Sequence, residues 1–247
     1  MSKISDYQTT LKTLPDWDNY LLKESNLPGP RGNLELAQAA SSLGTQEQFL
    51  TWLDWTPERA PENTPHCFLA FCGTWGLGWL IAEGNEQFIP LLQKQASDPR
   101  WRVREASAMA LQTIGDTNPN LLLEIANTWK KGNYLEQRAV MAGLCEPRLL
   151  KSAEFCQQVL AILDEITTGI SATSGNKSED FRVLRQALGY GWSVAVVSAP
   201  ETGKVLFEKW TGFNHPDIQW IIRENLKKNR LIKLDEKWVE KMGKLIS

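Results

Sequence analysis

Asp98-Pro-Arg-Trp101-Arg-Val-Arg104-Glu105 and Asp217-Ile-Gln-Trp220-Ile-Ile-Arg223-Glu224 share one pattern, D-x-x-W-x-[VI]-R-E. Agreement at five positions in one register is improbable by chance, and internal repetition with a period of 20–50 residues decides an architecture. A third copy, Glu179-Asp-Phe-Arg182-Val-Leu-Arg185, keeps an acid six residues before its Arg and an apolar residue just before it. A fourth, Tyr134-Leu-Glu-Gln-Arg138-Ala-Val-Met-Ala142, keeps the Arg and the small-residue helix without that acid. The arginines 104, 138, 185 and 223 are therefore spaced by 34, 47 and 38 residues. The longest gap holds a Ser/Thr/Gly/Asn-rich stretch, 169–177, which reads as a loop lengthening one repeat.

Around these copies the chain reads as helices. Apolar residues recur at i, i+3, i+4, and strand-like alternation never persists. Asp98-Pro99, Thr56-Pro57, Asn118-Pro119 and Pro200-Glu201 each place a capping residue or a first-turn Pro before an apolar-periodic segment. Leu14 to Leu22 reads as an amphipathic helix, Asn33 as the cap of a helix from Leu34 to Leu43, and Leu27-Pro-Gly-Pro-Arg-Gly-Asn33 as irregular.

The run Phe88-Ile-Pro90-Leu-Leu92, Asp98, Val103-Arg104, Ala106, Ala108, Ala110-Leu111 and Ile114-Gly115 resembles a HEAT repeat, including the Pro that bends the first helix of a unit. The likeness is specific over 86–116, good over 179–229 and weaker over 119–168. It implies an all-α, right-handed α-solenoid (ARM-type) of about five helical pairs, stacked so that no unit buries its apolar face alone. Residues 1–85 would form the N-terminal pairs and cap, 86–230 the repeats and 231–247 a C-terminal capping helix. Phe181 to Trp192 and Asp217 to Arg230 also resemble, loosely, the HEAT-like DNA-alkylation-repair glycosylases.

Composition bounds the function. The 247 residues carry 27 basic and 29 acidic side chains, net −2; residues 1–97 carry net −5, and residues 98–230 net +2. So small a surplus is an electrostatic footprint for nucleic acid only if the basic residues cluster. The N-terminal MSKISDYQTT has no basic head followed by an apolar stretch, so no secretory signal is expected. The apolar run Cys67 to Ala82 contains three Gly and stops at Glu83, short of a bilayer span and consistent with a buried helix. These features lead us to expect a cytoplasmic monomer with reduced cysteines and no membrane partner.

Acid and Arg within each copy, Asp98/Arg104, Glu179/Arg185 and Asp217/Arg223, are expected as a structural ladder between stacked repeats. Trp101, Arg102, Arg182, Tyr190, Trp192, Trp220 and Lys227 are the candidate ligand residues, because aromatic and basic side chains on second helices can converge to stack bases and track a backbone. The expected function is non-catalytic recognition of a macromolecule, a protein segment or nucleic acid, on the concave face, without cofactor or metal. The alternative is an alkylation-repair-like glycosylase or damage-binding protein. The resemblance implies for it an Asp near Trp and Arg; here the W-x-x-x-D arrangement is missing and Glu105, four residues after Trp101, is the nearest replacement. His66-Cys67-x4-Cys72 has metal-ligand types but lies in an apolar run, and Gly73-x-x-Gly76-x-Gly78 lacks a phosphate loop's strand-turn-helix setting, so thiols and glycines are expected to serve packing.

Overall fold

The computed structural model describes residues 2–173 and 175–246. Among these are fifteen α-helices, one 3-10 turn and no strand, so the fold is all-α. The chain forms two compact units, residues 1–117 and 118–247. The boundary falls after the helix that carries the first motif copy.

The first unit contains α1 (Lys3–Thr13), α2 (Asp18–Glu24), α3 (Leu34–Leu43), α4 (Gln46–Leu53), α5 (Pro65–Ala82), α6 (Ile89–Ala96) and α7 (Trp101–Thr117). Helix α5 is its hub, packing on α2, α3, α4, α6 and α7. Its length and composition would allow a membrane span, but 14 of its 18 residues are buried in the unit. Glycines permit that burial. A Cβ at Gly78 would lie 2.6 Å from Ala110 Cα on α7, and one at Gly76 would meet the Phe49 ring at 2.5 Å.

Capping chemistry sets the helix starts. The Asn33 side chain accepts from Leu36 N–H to open α3, as expected, and Thr45 with Gln48 makes a capping box on α4. Three expectations need correction. The N-terminal helix is α1, capped by Ser2, and of the expected Leu14–Leu22 segment only residues 18–22 are helical, as the start of α2. Thr56-Pro57 opens a turn, whose Ala60 N–H bonds back to the Thr56 carbonyl, and the next helix starts at Pro65. Pro90 bends nothing: it occupies the first turn of α6, where its missing N–H costs no hydrogen bond.

The second unit contains α8 (Pro119–Trp129), α9 (Tyr134–Leu144), α10 (Ala153–Ser171), α11 (Glu179–Ser198), α12 (Pro200–Thr211), α13 (Pro216–Leu226), α14 (Asn229–Leu234) and α15 (Glu236–Leu245). Consecutive helices pair, α8 with α9, α10 with α11 and α12 with α13; α11 also packs on α9 and α13, and α10 on α8 and α12. Helix α10 extends through Gly169 to Ser171, so the expected loop is shorter than 169–177; Ser174 within it lies outside the described residues. The expected single C-terminal capping helix is instead divided at Asp235, which ends α14 and caps α15.

The tryptophans act as cross-braces. Indole N–H groups bind across helices from Trp52 to Asp18, Trp75 to Thr113, Trp192 to Thr167, Trp210 to Asp164 and Trp238 to Glu208, at 2.7–3.0 Å. Each ring thus buries a large apolar area while its one polar atom is satisfied.

Candidate functional site

The ladder differs from the expected pairing. Asp98 is held by Arg100, whose Nε and Nη2 donate to its two oxygens at 2.9 and 2.8 Å. Both side chains are buried, and Arg100 Nη1 also donates to the Trp55 and Ala60 carbonyls at 2.7 and 3.0 Å. Arg104 instead donates to the Asp98 and Pro99 carbonyls. Glu179 pairs with Arg182, one turn on, and Ser178 is the N-cap. Arg223 reaches the Ile246 carbonyl. One rung links neighbouring copies: Arg185 on α11 donates to Asp217 on α13 at 2.5 Å and stacks on Trp220, 4.6 Å from the ring centroid.

Two candidate ligand residues pack against neighbouring helices. Trp192 is 0% exposed, edge-on to Phe207 and bonded to Thr167. Trp220 lies against Gly189, where a Cβ would meet its ring at 3.0 Å. Arg182 is exposed but paired with Glu179, and Lys227 donates to Glu224 at 2.5 Å.

The remaining candidates fall in two places, one in each unit. In the second unit Tyr190, 44% exposed midway along α11, lies beside cations from the α13–α14 connection and the first turn of α14. Arg230 lies 4.5 Å from its ring centroid and donates to its hydroxyl at 2.6 Å, and the Lys228 ammonium lies 5.9 Å from the ring. Lys227, Lys228, Asn229, Arg230 and Lys233 line an open hollow of about 460 Å³. Among the described residues Lys228, Arg230 and Lys233 make no ion pair with a carboxylate, so positive charge is concentrated around a half-exposed aromatic ring. In the sequence, Lys227-Lys228-Asn229-Arg230 already marks the run; what it leaves hidden is Tyr190, placed there by α11 packing on α14.

In the first unit Trp101, 48% exposed at the start of α7, and Met109 form one part of a pocket of about 220 Å³; Phe68 and Phe71 on α5 form another. Three charged side chains also line it: Arg31 from the Pro-Gly-Pro-Arg-Gly segment, Arg102 and Glu105. Arg102 is only 5% exposed; it donates to Glu62 Oε1 at 2.5 Å and to the Gly29 carbonyl at 2.7 Å, and its guanidinium stacks on Trp101 at 4.5 Å. Its Nε is buried without a partner.

All four cysteines are free and buried; burial pushes the Cys67 and Cys145 thiols up to about 12. No group of three potential metal ligands occurs among the described residues. The His66 ring lies 4.2 Å from the Trp55 ring, tilted by 42°, and buried His215 contacts the Thr173 carbonyl through Nε2. No protein-family model matches this chain, and no curated protein or solved structure matches it significantly.

Proposed function

We propose that the protein is a non-catalytic, HEAT-like α-solenoid that binds nucleic acid through the Tyr190 surface of its second unit. The solenoid part is supported by the packing of α11 on both α9 and α13 and of α10 on both α8 and α12, and by the Arg185–Asp217 rung between two motif copies. The binding part rests on one observation: an exposed Tyr ring contacted by Arg230 and Lys228, with Lys227 and Lys233 completing a basic hollow. An aromatic face can stack on any base and unpaired cations can follow the phosphates, so the combination suits single-stranded nucleic acid without sequence preference. A protein segment is the less suited ligand, because the hollow is lined by cationic and amide side chains and offers no apolar anchor pocket.

The glycosylase reading is favoured by one arrangement, Glu105 in an aromatic pocket with Trp101. That pocket also carries Arg31 and Arg102, and two guanidinium groups oppose a cationic alkylated base. Fluorescence anisotropy with labelled single-stranded, duplex and alkylated-duplex DNA tests the choice. The binding reading expects salt-sensitive affinity that is greatest for the single strand and falls in Tyr190→Ala. Release of free alkylated base, abolished in Glu105→Gln, would replace it with the glycosylase reading; absence of binding at low salt would refute nucleic-acid recognition.

A further inference from the structure

The pocket of the first unit is chemically unlike the basic hollow, and it has no place in the function proposed above. Its walls are aromatic and thioether, which suit a flat ring: Phe68 and Phe71 from α5, Trp101 and Met109 from α7. An apolar cavity of about 150 Å³ already accommodates benzene. At about 220 Å³ this one has room for a ring, or two fused rings, with one small substituent.

The charges select the substituent. Arg102 is buried and its guanidinium is held by Glu62 and the Gly29 carbonyl, so it adds a fixed positive charge behind the lining. Arg31, exposed on the pocket lining, makes no ion pair among the described residues. Glu105 is the single acid of the lining, and it disfavours a second negative charge on the ligand.

We infer that this pocket binds a small planar aromatic monocarboxylate, with the ring among Phe68, Phe71, Trp101 and Met109 and the carboxylate toward Arg31. The inference is independent of nucleic-acid binding: it uses other residues, in the other unit.

Equilibrium dialysis of the full chain against indole-3-carboxylate and against indole tests it. Indole-3-carboxylate should bind at one site per chain and about tenfold more tightly than indole, the effect expected of one charge-assisted hydrogen bond. Because Arg102 also holds Glu62 and Gly29, the informative variants are Arg31→Ala, which removes only a lining charge, and Met109→Trp, which fills the pocket. With melting temperatures checked for both, Arg31→Ala should erase most of the preference for the carboxylate and Met109→Trp should abolish binding of both compounds. Equal affinity for the two compounds, unaltered binding in Met109→Trp, or no binding of indole-3-carboxylate would each overturn the inference. DNA affinity should be unchanged in Met109→Trp, which keeps the two sites experimentally separate.

Discussion

Replacing Arg100 with Met should destabilise the first unit more than replacing any of the arginines at 104, 138, 185 or 223. Arg100 is 5% exposed and Asp98 is 8% exposed. Their two-pronged pair, at 2.9 and 2.8 Å, is continued by bonds from Arg100 to the Trp55 and Ala60 carbonyls, which tie the α4–α5 turn to the start of α7. The Met side chain fills much of the same space but leaves the buried carboxylate without its charged partner, held only by the backbone N–H of residue 100, and the two carbonyls without this donor. Breaking a buried pair from one side costs about 3–5 kcal/mol, and for a unit of this size that lowers the melting temperature by on the order of 10 °C. Removing both charges, Asp98→Asn with Arg100→Met, should recover much of the loss, because the uncompensated charge disappears. Urea unfolding followed by circular dichroism measures all three proteins. A loss below about 1 kcal/mol in Arg100→Met, the range of exposed pairs, would refute the reasoning. Arg104→Ala should cost less, since that side chain is only half-buried and donates to the Asp98 and Pro99 carbonyls.

Gly78→Ala should lower stability by about 1–3 kcal/mol by thermal melting despite alanine's better helix propensity, because its Cβ would press on Ala110 backbone 2.6 Å away. Thiol titration with an aromatic disulfide at pH 8 should find Cys67 and Cys145 unreactive in the folded chain, where their thiols sit near 12, and all four cysteines reactive in denaturant; rapid labelling of the folded chain would contradict their burial. The hydrogen bond from Lys204 and that from the Trp238 N–H hold the Asp235 carboxyl below its usual value. Its contribution to anchoring α15 is therefore complete above the ordinary carboxylate range and lost as pH falls through the lowered value. Hydrogen exchange at the start of α15 should accelerate there in the native chain but show no such step in Asp235→Asn.

How much of this was legible in the sequence follows from what each signal encodes. Helical periodicity, the Asn33 and Asn118 caps and the buried nature of Cys67 to Ala82 are local properties, and the fold reproduces them. The repeat register located Trp101 and Trp220, yet one ring is half exposed in a pocket and the other is sandwiched by Gly189 and Arg185, a difference made by the neighbouring helix rather than by the motif. Arg100 was missed because it stands outside the repeat pattern: its importance comes from the α4–α5 turn, 40–45 residues away in sequence, whose carbonyls it satisfies. Trp192 was misjudged as a surface candidate because periodicity does not distinguish a ring facing a neighbouring helix from one facing solvent. Five tryptophans are bound across helices at separations of 25–46 residues, beyond the reach of a local reading.

The central claim is that the cations around Tyr190 engage phosphates. Single-strand affinity should be measured as a function of salt for the native chain and for Lys228→Ala/Arg230→Ala/Lys233→Ala, with circular dichroism confirming that both are folded. If the three side chains contact phosphates, the slope of log affinity against log salt should shrink by about 2 in the triple variant, at about 0.7 per phosphate contact on a single strand. An identical slope in the two proteins would contradict the account.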